Sequence, residues 1–421
     1  MRWRVEDTPE RAAFRGEFKA WLESVLPPGW VEALDAEDDE AFAAARDGFN
    51  PFAWTGVIGR TAYAAPLWPK EYGGLSGEPW MQQIVREELS DHRLPVFGIN
   101  LLGVGLAGPT IIAHGSAQQK SRYLPKILSG EEIWCQLFSE PGSGSDLASL
   151  ATRAVRDGDE WIVNGEKVWT SIAQFSTFGM LLARTDPDVS KHDGLSYFIV
   201  DMHSPGIEIR PLRQITGSAD FSEVFFTELR VPDANRIGEA GEGWRYARTT
   251  LMNERVALSG LSIDAVSLTG GVRRDAWEAA LEQVPDRRDP LVRQDLALIY
   301  SRQEAKEITA FRASAARLAG QVPGAEGGIS KVFNAELNQY RSNALLDAGG
   351  LASIAWPIES VAVAAGAAAA QGRAQSLLRA RANTIEGGTS EVLRNQIAER
   401  VLGLPRDPDV DRDVPWSHSR R

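Results

Sequence analysis

In the stretch TTLMNERVALSGLS, residues 249–262, a glutamate stands where a helical repeat calls for a hydrophobe. On a helix Glu254 shares its face with Ala247, Thr250, Leu251, Ala257, Leu258 and Leu261, which lie three, four or seven residues away. A carboxylate on so apolar a face loses hydration, its pKa rises unless it is paired, and a carboxyl tuned in that way can move protons. A buried ion pair or a cap is the competing role, although Arg255 projects about 100° around the helix and does not easily reach Glu254. The glycine-rich SEPGSGSD, residues 139–146, is the second feature. Such a loop can turn backbone N–H groups and hydroxyls toward an anion or a flat polar ring, or it can be a plain turn. It lacks the strand-then-helix context of a dinucleotide fingerprint, and the chain has no GxSxG elbow. The 5 His are scattered, none at i, i+4 spacing beside a carboxylate, so no metal centre is expected.

These residues need elements to hold them. A chain of 421 residues can bury a large core and suggests two or three domains. Its 45 basic and 57 acidic residues give a net charge of −12, which argues against nucleic acid as a partner. The lone cysteine, Cys135, excludes internal disulfides and a multi-cysteine metal site, and fits a small core residue in a reducing compartment. The opening MRWRVEDTPERAAFRGEF has no apolar core of a signal peptide, and the near-apolar run VAVAAGAAAA is too short to span a bilayer. A cytoplasmic protein with no membrane segment is the expectation.

Three stretches differ in period. Residues 1–128 read as an N-terminal helical domain, with RAAFRGEFKAWLESVL, EPWMQQIVREELSDH and SAQQKSRYLPKILSG as helices and Gly130 as the stop of the last. Residues 129–239 read as an antiparallel β-barrel or sandwich. Asp157-Gly158 and Asn164-Gly165 are its turn signals, and FGMLLART, LSYFIVDM, GIEIRPL and SEVFFTELRV are strands. Residues 240–421 return to long Ala/Leu-rich helices, broken near VPDRRDP and QVPGAEGG. The fold class is α+β and multidomain.

Taken together, WCQLFSEPGSGSDLASLATRA, VNGEKVWTS, LMNERVALS and IEGGTSEVLRNQIAERVLGLPR, in this order, resemble the acyl-CoA dehydrogenases. The resemblance runs from WPKEYGG to the closing DVPWS. It implies a helical N-terminal domain, a β domain and a C-terminal four-helix bundle, with FAD held between the last two. It implies FAD-dependent oxidation of a saturated acyl-CoA to the 2-enoyl-CoA, with electrons passed to an electron-transfer flavoprotein. That chemistry needs a base for the C2 proton, a flavin on the opposite face of the substrate, and hydrogen bonds to the thioester oxygen.

In the straight-chain type of this family the base directly precedes the Gly-Thr of the last motif. Here that slot is Gly387, before Gly388-Thr389, and Glu386 falls one residue early. In the other type a glutamate directly precedes an Arg on the first long helix of the bundle, and Glu254-Arg255 matches it. Glu254 is therefore the expected base, with Glu386 as runner-up. The resemblance further assigns Gln136, Phe138, Ser139, Gly144, Trp169 and Ser171 to the flavin, and Thr389 and Glu391 to its contact from the bundle. Ser145 is assigned to the flavin loop and the pantetheine, and the Gly387 N–H to the thioester oxygen. Leu251, Arg255 and Leu258 are assigned to the acyl pocket. Trp169 as a core aromatic, Ser145 as a helix cap and the two leucines as ordinary core are the alternatives.

Two departures stand out. The family's Arg-x-x-Phe-Gly before a Gln reads PDRRDPLVRQDLA here, keeping Gln294 without Phe-Gly, and its Gly-Gly-x-Gly-aromatic has become GGLAS, residues 349–353. Both fall on positions that reach a neighbouring subunit's FAD. This pattern resembles actinobacterial acyl-CoA dehydrogenases built from two different subunits and acting on bulky chains, so a homo- or hetero-oligomer is expected. A same-fold oxidase or monooxygenase and a non-catalytic subunit are the competing readings. A monooxygenase has no need of a buried base, and a dead subunit has no need to keep Trp169, Ser171, Ser145 and Glu254 together.

Overall fold

The computed structural model describes residues 6–95, 100–258, 288–319, 327–350, 373–406 and 413–419, with 284, 286 and 408. The Ala-rich tract 361–370 lies outside them, as do residues 351–353 and parts of VPDRRDP and QVPGAEGG. The chain forms two compact units. One groups residues 1–99, 259–386 and 393–397; the other groups 100–258, 387–392 and 398–421.

The first unit is helical. It opens with α1 (Pro9–Val25), α2 (Trp30–Asp35), α3 (Asp39–Arg46), α4 (Pro51–Gly59) and α5 (Pro79–Asp91). Thr8 caps α1 by accepting from the Arg11 N–H, and Pro9 occupies the first turn, where its missing N–H costs nothing. Arg15 of α1 donates to Glu88 Oε1 at 2.6 Å and to Glu87 Oε2 at 2.9 Å, pinning α1 to α5 beside the Phe14–Trp80 edge contact.

The second unit opens with a π-helical turn, Gly103–Ala107, then α6 (Gly108–His114) and α7 (Ala117–Ser129). A capping box of Ser116 and Gln119 starts α7, and Gly130 at φ 74° ends it, as its sequence predicts. Eight strands follow: β1 (Trp134–Leu137), β2 (Arg153–Asp157), β3 (Glu160–Ser171), β4 (Phe178–Arg184), β5 (Leu195–Asp201), β6 (Ile207–Leu212), β7 (Phe221–Pro232) and β8 (Arg236–Ile237). Their order is β6-β7-β3-β2-β4-β5-β8, with β1 on β4. The expected antiparallel sheet needs one amendment, since β1 pairs β4 in parallel and β2 meets β4 in parallel through the single register pair Arg153–Arg184. The strands on either side of that weak seam share one core, in which Leu137, Leu181, Phe198, Val163, Val224 and Phe226 are buried together. The thiol of Cys135 lies in the same core, pushed up to about 12 by burial. From the sheet the chain enters α8 (Gly243–Leu258), which packs on the π-helical turn, α6 and β5.

Back in the helical unit come α9 (Pro290–Leu318), α10 (Gly327–Ala348) and α11 (Arg373–Ala380). Asp289 caps α9 by accepting from the Leu291 N–H at 2.7 Å, and Tyr340 of α10 donates to Asp295 of α9 at 2.6 Å. The last helix, α12 (Ser390–Arg400), is capped by Thr389, whose Oγ1 accepts from the Val392 N–H at 3.2 Å. Among the described residues no helix is long and apolar enough to cross a membrane, and no cluster of His, Cys, Asp or Glu could hold a metal ion.

The two Gly turn signals part company. Asp157-Gly158 makes the tight β2–β3 hairpin, with Asp157 paired to Glu160. Asn164-Gly165 makes no turn: it is a bulge inside β3, where the register against β7 shifts between Val163 and Gly165. Gly165 has φ 153°, and a Cβ there would meet Thr152 Oγ1 at 2.5 Å, whereas at Gly158 a Cβ meets nothing within 4 Å. Gly165→Ala should therefore cost about 2–3 kcal/mol and Gly158→Ala about 1 kcal/mol. Equal losses in chemical denaturation would show that the Thr152 contact does not set the requirement.

Candidate active site

The segment after β1 and the far end of β3 are joined by a charged clasp. Lys167 of β3 is 0% exposed. Its Nζ donates to the Phe138 carbonyl at 2.9 Å and to Glu140 Oε1 at 2.8 Å. Glu140 also accepts from the Ala151 N–H at 2.6 Å and the Thr152 N–H at 2.9 Å. Burial lowers the Lys167 ammonium to about 8 despite the pull of Glu140. Burial works to raise the Glu140 carboxyl, but Lys167, Thr152 and Ala151 together hold it below the ordinary 4.5. Next to the clasp, the Val168 N–H donates to the Ser139 carbonyl at 2.9 Å. Phe138 and Ser139 are thereby fixed to the stretch that leads into Trp169 and Ser171.

That stretch is unusual. The β3–β7 register shifts again between Lys167 and Thr170. Trp169 falls in this irregularity with a left-handed φ of 60°, a conformation that costs a bulky residue about 1–3 kcal/mol. Its indole is 57% exposed, in edge contact with Phe221. The core-aromatic alternative therefore fails: Trp169 is an indole presented outward.

Glu254 lies on α8 and is half-buried; its Oε2 is 3.5 Å from Gln136 Nε2, which donates to it. Its helix face is less apolar than the sequence pattern suggests. Thr250, one turn earlier and fully buried, shares hydrogen bonds with Thr110 Oγ1 at 2.9 Å and Tyr197 Oη at 3.1 Å, and Thr110 donates to the Leu106 carbonyl at 2.8 Å. Every hydroxyl in this chain is satisfied if Tyr197 donates to Thr250 and Thr250 to Thr110. Thr249 adds a bond to His114 Nε2 at 2.8 Å. Burial pushes the Tyr197 hydroxyl up, and it lowers His114 with help from Arg245 and Lys120. The ring of Tyr197 meets Phe138 edge-on at 5.8 Å, so the anchor of α8 touches the segment fixed by the Lys167 clasp. Leu251 is half-buried; the side chains of Arg255 and Leu258 lie outside the described residues.

Glu386 is placed differently, in the helical unit. Its two oxygens take Arg379 in a fork, at 3.2 and 2.9 Å, and Oε1 also accepts from Asn383 Nδ2 at 2.7 Å. Such a carboxylate is occupied with structure. Gly387 and Gly388 follow with φ 62° and 93°, and Gly387–Val392 groups with the sheet unit and Glu254. Ser145 is exposed and does not cap a helix, because the short turn Leu147–Ser149 starts from Asp146. Gly142 and Gly144 are exposed; neither has a left-handed φ, and a Cβ on either would meet nothing within 4 Å. The Lys167–Glu140 clasp and the Thr250 anchor escaped the sequence reading. The signal for the first was a lysine among β-patterned hydrophobes.

With this geometry in place, comparison with known proteins decides the family. The acyl-CoA dehydrogenase N-terminal, middle and C-terminal domain profiles match residues 8–131, 135–229 and 241–402. The chain belongs to the acyl-CoA dehydrogenase family. Acyl-CoA dehydrogenase IpdE1 of Mycobacterium tuberculosis is 37% identical over 94% of this chain and 98% of its own length. Acyl-CoA dehydrogenase FadE34 of the same organism is 41% identical over 83% of this chain, which spans only 46% of that relative. Among solved structures, the Tcur3481-Tcur3483 steroid ACAD superposes with a TM-score of 0.74 at 30% identity, covering 96% of this chain and 100% of that one. The ChsE4-ChsE5 complex of M. tuberculosis gives 0.72 at 30% identity with the same coverage. Oxidoreductase chemistry on an acyl-CoA, with FAD as the family's cofactor, goes with this membership.

The clasp makes a stability prediction. Glu140→Gln or Lys167→Met leaves an uncompensated buried charge and should cost about 3–5 kcal/mol, whereas the double variant should recover part of the loss. A carboxyl whose folded pKa lies below its unfolded value stabilises the fold above its ordinary 4.5, and that contribution disappears as pH falls through the lower folded value. The gap in melting temperature between wild type and Glu140→Gln should therefore narrow as pH falls below the ordinary 4.5; a gap constant down to acid would refute the ionised pair.

Proposed function

We propose that the chain carries out 2,3-dehydrogenation of a saturated acyl-CoA thioester, with Glu254 as the base and FAD as cofactor. The observation that carries this reading is the half-buried Glu254 carboxylate held by the Gln136 amide, on a helix fixed one turn away by buried Thr250. The residues at hand fit the flavin: Trp169 presents its indole outward, and Phe138 and Ser139 are fixed against the same strand. Gln136, Ser171 and Gly144 complete that wall, and Thr389 and Glu391 supply its contact from the last helix. Ser145 takes the pantetheine, the Gly387 N–H takes the thioester oxygen, and Leu251, Arg255 and Leu258 line the acyl pocket.

In the reaction Glu254 takes the C2 proton as the C2–C3 double bond forms. A bound flavin would supply the two-electron acceptor for the hydrogen that leaves C3 as hydride. The Gly387 N–H stabilises negative charge as it develops on the thioester oxygen. The electron-acceptor partner is an electron-transfer flavoprotein. We assign Glu254 rather than Glu386 because the latter's oxygens are taken by Arg379 and Asn383.

The substrate class we assign is a bulky acyl chain, and the assembly one with a second, related subunit. Similarity to the steroid ACAD and to the ChsE4-ChsE5 complex supports both. So does the missing Phe-Gly before Gln294, which leaves the chain poorly equipped to complete a neighbour's FAD site.

An anaerobic visible spectrum tests the chemistry. Purified with its partner subunit where one is needed, the wild type should be bleached by one acyl-CoA from a panel running from butyryl to steroid-length. Loss of a general base typically costs about 10²–10⁴-fold in rate, so Glu254→Gln should bleach that much more slowly while Glu386→Gln keeps the wild-type rate. Bleaching that survives in Glu254→Gln and fails in Glu386→Gln would reverse the assignment of the base. For the assembly, the chain expressed alone should bind FAD poorly and gain it on co-expression with the partner; a homotetramer with one FAD per subunit would sink the heteromeric reading.

A further inference from the structure

Residues 413–419 return to the sheet unit and form a strap over the loops behind the glycine-rich turn. Pro415 bridges to Ser190; the Trp416 N–H donates to the Val189 carbonyl at 2.8 Å, and the Ser417 N–H to the Pro187 carbonyl at 2.9 Å. The Trp416 ring is 8% exposed. It covers the Arg184 guanidinium, whose carbon lies 4.3 Å from the ring centroid, and its Nε1 donates to the Ser149 carbonyl at 3.2 Å.

Arg184, at the end of β4, is 2% exposed and stays charged whatever its surroundings. It donates to the carbonyls of Leu150 at 3.1 Å, Ala148 at 2.6 Å and Lys191 at 3.2 Å. Its edge is thus consumed by carbonyls and one face is covered by an indole, an arrangement that replaces the water a guanidinium loses on burial. Ala148 lies in the short turn Leu147–Ser149, which starts from Asp146 next to Ser145, and Leu150 is its C-cap. Lys191 reaches the same turn by another route, with Nζ 2.9 and 3.0 Å from the carboxylate of Asp146. Glu140, at the front of the glycine-rich loop, is held by Lys167. The loop is therefore gripped at its start and again from Asp146 onward, and exposed Ser145 stands at the edge of the second grip.

We infer that Trp416 is a positioning residue for the substrate: by closing the cage around Arg184 it fixes the turn that presents Ser145 to the thioester's pantetheine. The inference rests on the acyl-CoA reading of Ser145 given above. It separates Trp416 from a residue that merely ties down the chain's end, because the strap, the Arg184 cage and the glycine-rich turn form one continuous set of contacts.

The test uses the full chain, with its partner subunit where one is needed, as wild type, Trp416→Ala and Trp416→Phe. Hydrogen exchange of amides 146–152 is followed without ligand, and steady-state kinetics with the acyl-CoA that bleaches the wild type. In Trp416→Ala these amides should exchange faster. KM should rise about tenfold with kcat nearly unchanged, the signature of binding lost equally from ground and transition states. Trp416→Phe keeps a ring face over Arg184 and should stay near wild type. The inference is overturned if exchange quickens only within residues 413–419 and KM stays at the wild-type value, or if kcat falls as far as KM rises. A wild type that binds and oxidises no acyl-CoA defeats the proposed function instead, and exchange at 146–152 then decides the strap: quickened exchange upholds its grip on the turn, unchanged exchange removes it.

Discussion

An ammonium shut away from water survives only beside acceptors that replace its hydration, and the second unit of this chain is built around one. Lys167 requires Glu140 and the Phe138 carbonyl to be where they are, which sets the segment after β1 against β3. That placement carries Ser139 onto the Val168 N–H and leaves Trp169 at the point where the β3–β7 register slips. The segment of Phe138 and Ser139 and the stretch leading into Trp169 are thus joined through a single charge pair. The pair is a costly device compared with two well-packed hydrophobes. What it supplies is register: a backbone carbonyl and a carboxylate in one place can be met only by one alignment of the two segments.

Helix α8, which carries Glu254, is held by a different kind of contact. Thr250, Thr110 and Tyr197 form a run of hydroxyls in which each can donate once and none is left over. Gln136 adds an amide contact to the same helix, its Nε2 donating to Glu254 Oε2. Glu386 lies in the helical unit. Forked by Arg379 and capped by Asn383, it has the environment of a structural carboxylate.

Much of this was legible in the sequence wherever the signal is local. The period-two runs became strands, Asp157-Gly158 became the hairpin, Gly130 ended its helix, and the motifs in register pointed to the family that the comparisons establish. What was not legible depends on partners far along the chain. Asn164-Gly165 carries a turn signature, but its glycine is required by Thr152 across the sheet, so the chain runs straight through it as a bulge. Parallel pairing of β1 with β4 leaves no mark in the alternation of either strand. Glu254 stood out as a charge in an apolar stripe, yet Thr250 was counted only as part of that stripe, because pattern does not report the hydroxyls waiting on β5 and α6. Period likewise marks where helix gives way to strand; it does not say that α6 and α7 pack with the sheet unit.

Features that the fold explains can be told apart from features that it does not. Gly165 has a neighbour that forbids a side chain, and Gly158 has a left-handed turn to make; each glycine is accounted for within the chain. Gly142 and Gly144 have neither reason, and open space surrounds both. Trp169 is the converse case, a large residue held in a conformation that favours glycine, with its ring turned out where it buries little. Local rules broken without a gain inside the chain are expected where something outside the chain supplies the gain. Glycines let a ligand's edge approach the backbone, and an outward indole offers a face to a flat ring. Both irregularities flank the Lys167 clasp, where a rigid support is available to carry the strain. At the strap, too, an exposed residue stands on over-determined contacts, since Ser145 borders a turn fastened by Arg184 and Trp416.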